Sequence, residues 1–119
     1  MTAILIVLLM LFNNINNNNT AIRLVEGFVL TKQDNKGLQI LISENSPEKQ
    51  ENLDADTINE LATKDDTMMW VPVDESIYNQ IHLGDKLIIE YDGFLFESLP
   101  PIIGNVISLK IVTENKKKQ

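Results

Sequence analysis

Eight carboxylates crowd residues 44–66 of this 119-residue chain: Glu44, Glu48, Glu51, Asp54, Asp56, Glu60, Asp65 and Asp66. Only Lys49 and Lys64 oppose them, so the segment carries a net charge of -6. Carboxylates at this density can coordinate a hard cation, work in pairs on a glycosidic bond, or attract a basic partner. The cation reading needs an Asp-x-Asp-x-Asn-Gly loop, whose glycine permits a sharp turn, and no such loop is present. Paired-carboxylate hydrolysis needs a cleft that holds a sugar between the two acids, which a domain this small seldom builds. No metal and no cofactor are expected, and the acids read as a solvated surface.

The other reactive side chains are few. With no cysteine the chain has no thiol nucleophile, disulfide, iron–sulfur cluster or thiolate zinc site. A Ser-His-Asp arrangement could use only His82, which sits between Ile81 and Leu83 just before Gly84 and reads as a loop residue. Ser98 lies beside Glu97 without the flanking glycines of a nucleophile elbow, and Pro100-Pro101 mark a strand-ending kink instead. No catalytic residue is assigned.

Charge also narrows the partners. The formal net charge is -7, with 10 basic and 17 acidic side chains, and a surface of that sign repels phosphate. Nucleic acid is therefore not expected as a partner. Residues 3–12 are all apolar and show neither helical nor strand periodicity. Ten helical residues reach about 15 Å, half of a hydrocarbon layer about 30 Å thick, so the run suits the apolar core of a signal peptide or a membrane tether. The asparagine-rich residues 13–20 that follow read as a linker. These features divide the chain into a signal-like or tethering segment with its linker (1–20), one β-barrel domain (21–115) and a basic tail (116–119). The expected location is extracytoplasmic, either secreted or held at the membrane by the N-terminal segment.

Period-two patterning dominates the domain. Residues 23–32 and 38–43, separated by the turn cluster 33–37, read as a hairpin, with Gly27 marking a bulge or bend. The Thr57-Ile58-Asn59-Glu60 capping box predicts a helix over 55–63 whose Ile58, Leu61 and Ala62 share a face. Residues 68–73 predict a strand containing Trp70, with that side chain in the core, and Asp74 caps a short turn that brings Ile77 and Ile81 together. Residues 86–91 place Leu87, Ile89 and Tyr91 inward. Asp92-Gly93 predicts a type I′ hairpin to a return strand at 94–98. A last strand over 106–113 puts Ile107, Leu109 and Ile111 inward. Together these predict a mainly β fold, a small antiparallel OB-like barrel with one or two short helices, the alternative being a β-sandwich.

Several segments in this order resemble the YobA-like family, a domain of unknown function (DUF3221-type) of small exported bacterial proteins. They are Gly27-Phe28-Val29, Trp70-Val71, the run from Ile81 to Leu87, Tyr91-Asp92-Gly93 and Glu97-Ser98-Leu99-Pro100. The likeness spans residues 23–113 and implies export and a small β-fold, with no activity or site residues to carry over. The chain departs from that pattern in lacking a lipid-attachment cysteine and a basic n-region.

The functional expectation is an exported or membrane-associated, non-enzymatic binding or accessory domain. The alternative is a small extracytoplasmic carboxylate-dependent hydrolase. Its partner is expected to be a protein or cell-envelope ligand of basic character. Because loops on a rigid barrel commonly carry binding residues, Glu51, Asp54, Asp56, Glu60 and Asp92 are the predicted binding set. They are expected to form one polar edge.

Overall fold

A computed structural model describes residues 21–48 and 51–113. The N-terminal apolar run, its linker and the basic tail lie outside the described residues. Seven strands, β1 (Arg23–Gln33), β2 (Gln39–Ser43), β3 (Met69–Pro72), β4 (Lys86–Tyr91), β5 (Leu95–Phe96), β6 (Ile102–Ile103) and β7 (Val106–Ile111), form one sheet in the order β5-β6-β3-β2-β1-β4-β7. Among the described residues two helices accompany the sheet: α1 (Ala55–Ala62) between β2 and β3, and α2 (Glu75–Gln80) between β3 and β4.

The fold is mainly β with two short helices, as the periodicity predicts. Its sheet is mixed rather than wholly antiparallel, because β6 runs parallel to β3 through the pair Trp70 and Ile102. The hydrogen-bond ladder stays open, with β5 and β7 as its edges. Yet β6, beside β3, and β7, beside β4, are separated only by Gly104 and Asn105. The sheet must therefore curl until its two sides lie one short link apart. Its halves face each other across the larger of two apolar clusters; the sheet does not close into the expected barrel, and the arrangement is compatible with the alternative, a folded-over sandwich.

Strand β1 makes the curl possible by changing partners. Residues 23–28 pair with β4 and residues 28–33 with β2. Gly27 sits at this exchange, where a Cβ would come within 3.1 Å of the Ser43 carbonyl oxygen and 3.2 Å of Ile42. It allows a close approach rather than a bulge; the register shift lies further on, between Val29 and Thr31.

The interior cluster joins Val29, Ile40, Ile42 and Val71 to Leu87, Ile89, Tyr91, Ile103 and Ile81. A second cluster, Leu30, Leu41, Met68 and Trp70, lies on the opposite face of the same strands under Ile58 and Ala62 of α1. This double cover explains why Ile40, Leu41 and Ile42 are all fully buried although strand side chains alternate between faces. Trp70 is 8% exposed, as its apolar neighbours predict.

Three local expectations change. The N-cap of α1 is Asp54, whose carboxylate accepts from the Thr57 N–H at 2.8 Å, so the helix starts three residues before the predicted capping box. At Asp92-Gly93 only the glycine has positive φ (86°), which rules out a type I′ turn, and the return segment pairs with β6 instead of β4. Finally, Tyr91 pairs with Val106 but Glu90 with Ser108, which leaves Ile107 as the extra residue of a bulge. Ile107 is turned outward at 52% exposure, and Val106, Leu109 and Ile111 face the core.

Candidate functional site

Between α1 and the loop that leaves β2 lies a cleft of about 460 Å³. Its apolar lining comes from five places in the chain: Leu30 of β1, Pro47 in the loop after β2, Leu53 before α1, Leu61 on α1 and Met68 before β3. Leu61 was expected to pack inward with Ile58 and Ala62; it is 37% exposed because it faces this cleft instead. The polar lining is Ser43, Asn45, Ser46 and the carboxylates Glu48, Glu51 and Asp65. The volume falls within the range of small-molecule sites, about 300–1,000 Å³.

Asp65 ties the walls together. Its Oδ1 accepts from the Thr67 N–H at 2.9 Å and the Thr67 hydroxyl at 2.6 Å. Its Oδ2 accepts from the Ser43 hydroxyl and, at 3.1 Å, from Asn45 Nδ2. Burial pushes the Asp65 carboxyl up, but the hydrogen bonds from Ser43, Thr67 and Asn45 outweigh it and hold the pKa at about 2. The far wall is pinned by Thr31, whose hydroxyl donates to Asn52 Oδ1 and accepts from the Leu53 N–H, both at 3.1 Å. A buried threonine on β1 thus fixes the loop that carries Glu51.

The predicted binding set is distributed rather than gathered. Glu51 lines the cleft. Asp54 is occupied as the α1 cap, and its carboxyl is lowered by the Thr57 backbone hydrogen bond. Asp56 and Glu60 are exposed on α1, Glu60 lying 3.9 Å from Lys64. Asp92 belongs elsewhere, at the junction of β4 and β7: its Oδ2 accepts from Asn105 Nδ2 at 2.6 Å and its Oδ1 from the Phe94 N–H at 3.0 Å. The Asn105 bond, then the Phe94 bond, lowers its carboxyl. Asp92 and Gly93 lie beside the start of β1, whereas Thr31 near the end of β1 holds the acidic loop. The acids therefore do not form a single edge with Asp92.

Sequence reasoning missed the apolar floor and the bracing role of Asp65, which drew notice only as one acid among several. The residues concerned, 30, 53, 61 and 68, have no common period in the chain.

The other reactive groups stand apart from the cleft. His82 is exposed, with Nδ1 3.7 Å from Asp85 Oδ2, and the Ser98 hydroxyl donates to the Pro100 carbonyl at 2.5 Å. The cleft places carboxylates beside apolar side chains, an arrangement suited to holding a cationic group that has an apolar stem. No helix among the described residues is long and apolar enough to cross a membrane.

No curated protein and no solved structure matches the chain. A family model does match, over residues 26–113, which include all seven strands except the first three residues of β1. The chain belongs to the family described as a protein of unknown function, DUF3221.

Proposed function

We propose that this domain is an extracytoplasmic binding or accessory module that captures a basic, partly apolar protein segment or cell-envelope ligand and performs no chemistry on it. The observation that carries this reading is the cleft itself, in which Glu48, Glu51 and Asp65 surround Leu30, Leu53, Leu61 and Met68. The surrounding net charge of -6 over residues 44–66 favours approach of a cation and disfavours nucleic acid. Tethering or export rests on the apolar run of residues 3–12.

The alternative hydrolase reading needs one carboxyl kept protonated near neutral pH to act as general acid. Asp54, Asp65 and Asp92 are all shifted the other way. Of the three only Asp65 lines the cleft, and its hydrogen bonds hold it ionised, so it is not that acid.

The test is fluorescence anisotropy with two labelled peptides of equal charge, one alternating Lys and Leu and one alternating Lys and Ser. The Lys–Leu peptide is expected to bind more tightly, to weaken as salt rises because exposed charges are screened over about 10 Å at 0.1 M, and to weaken again in Glu48→Gln/Glu51→Gln. Equal binding of both peptides, or no effect of the double substitution, would remove the cleft from the proposal.

A further inference from the structure

Seven large apolar side chains are exposed among the described residues, and four of them fall in two stretches that meet at Gly93: Ile22 and Leu24 at the start of the domain, and Phe94 and Phe96 just after the glycine. A Cβ built on Gly93 would lie 3.0 Å from the Ala21 carbonyl oxygen and 3.4 Å from Arg23 Cγ, so the start of the domain rests against the residue that precedes Phe94. Singly scattered exposed apolar residues are ordinary, whereas a local group of them marks a contact surface.

The two phenylalanines at its centre are held in place. The Phe94 N–H donates to Asp92 Oδ1 at 3.0 Å, and its carbonyl accepts from the Gly104 N–H at 2.8 Å. Its ring lies on Gly104 so closely that a Cβ there would come within 2.3 Å of it. Phe96 meets Phe94 edge to face, with centroids 4.9 Å apart. Each ring nevertheless keeps 51% of its surface in solvent. An aromatic pair fixed in an outward position loses little conformational entropy when an apolar phase covers it.

The sequence indicates what that phase is. Ala21 follows the end of the apolar run by only the eight residues of the linker, which span at most about 28 Å when extended. A bilayer that holds residues 3–12 is therefore within reach of this face. We infer that Phe94 and Phe96, together with Ile22 and Leu24, insert into the headgroup–acyl boundary of the bilayer as a second membrane contact. This inference rests on the tethering part of the proposed function. Two weak attachments joined by a short linker reinforce each other, and a ten-residue run is weak by itself. Glu97, exposed beside Phe96, and Asp92 outnumber Arg23 beside Gly93, so zwitterionic surfaces should be favoured over anionic ones.

The experiment uses the full chain and vesicles of brominated phosphatidylcholine or phosphatidylglycerol. A Phe96→Trp variant reports on the patch and an Asp56→Trp variant on the outer side of α1; the wild-type chain gives the background from buried Trp70. The expected result is flotation of all three with phosphatidylcholine vesicles and severalfold stronger bromine quenching for Phe96→Trp than for Asp56→Trp, reduced on phosphatidylglycerol. Phe94→Ser/Phe96→Ser, at half-exposed positions, should lower the floated fraction severalfold. Flotation without quenching at position 96 would overturn the patch and leave the tether standing, whereas failure to float would overturn both. An emission shift at position 96 that follows protein concentration without vesicles would assign the patch to self-association and overturn the inference as well.

Discussion

Asp65→Asn should destabilise the domain at neutral pH and lose most of that effect in acid. The wild-type carboxylate takes four hydrogen bonds, including one from Ser43, whose side chain is almost wholly buried. Its folded pKa of about 2 lies below the ordinary value of 3.8. A depressed carboxylate stabilises the fold above its unfolded pKa, and that contribution disappears as pH falls through the folded value. The gap between 3.8 and about 2 corresponds, at about 1.36 kcal/mol per pH unit, to a ceiling of about 2.4 kcal/mol. Asp65 is only partly buried, so solvent screening reduces this to about 1–2 kcal/mol. Urea denaturation of wild type and Asp65→Asn at pH 7, 4, 3 and 2 reads the effect. The difference between them should hold from pH 7 to 4 and shrink between pH 4 and 2. A difference that stays constant down to pH 2 would show that the amide's lost geometry, and not the carboxylate's charge, is what destabilises the variant.

Trp70→Ala should cost about 3–5 kcal/mol in urea denaturation, because it opens a cavity under α1 among Leu30, Leu41, Ile58 and Met68. Lys32→Met should cost about 1.5–3 kcal/mol, since Nζ donates to the Tyr78 and Ile81 carbonyls at 2.8 and 2.9 Å and holds the end of α2; a thermal melt unchanged from wild type would contradict this. Neutralising the acidic surface with Glu51→Gln, Asp54→Asn, Asp56→Asn and Glu60→Gln should leave the melt nearly unchanged, because asparagine retains the α1 cap, while alanine at position 54 in the same background should lower the melting temperature.

How much of this was legible depended on whether the deciding contact was local. Strand β4 was legible to the residue because one of its faces meets the core and the other solvent, so Leu87, Ile89 and Tyr91 alternate cleanly with Lys86, Ile88 and Glu90. The cap of α2 at Asp74 was legible for the same reason: its partner, the Ile77 N–H, lies three residues away. Asp92-Gly93 misled because a turn type depends on which strand receives the chain, and here β5 is drawn to β6. Strand β6 was hidden since two residues after Pro100-Pro101 carry no period, and its partner β3 lies about thirty residues earlier. Ile107 obeyed the alternation in sequence but not in the fold, where a bulge against Tyr91 turns it outward. The cleft was the least legible part: acidity pointed to the right segment and to Glu51, but its floor is assembled from positions 30, 53, 61 and 68 by the packing of α1 on the sheet.

The cleft as a seat for a basic, apolar segment is tested most directly by following backbone amide NMR shifts as the Lys–Leu peptide is added to isotope-labelled protein. Shifts should concentrate at Leu30, Ser43, Glu51, Leu53, Leu61 and Met68, and the same residues should respond far less to the Lys–Ser peptide. Shifts concentrated instead along Leu109, Lys110 and Ile111 beside α2, or spread evenly over the exposed acids with both peptides, would contradict it.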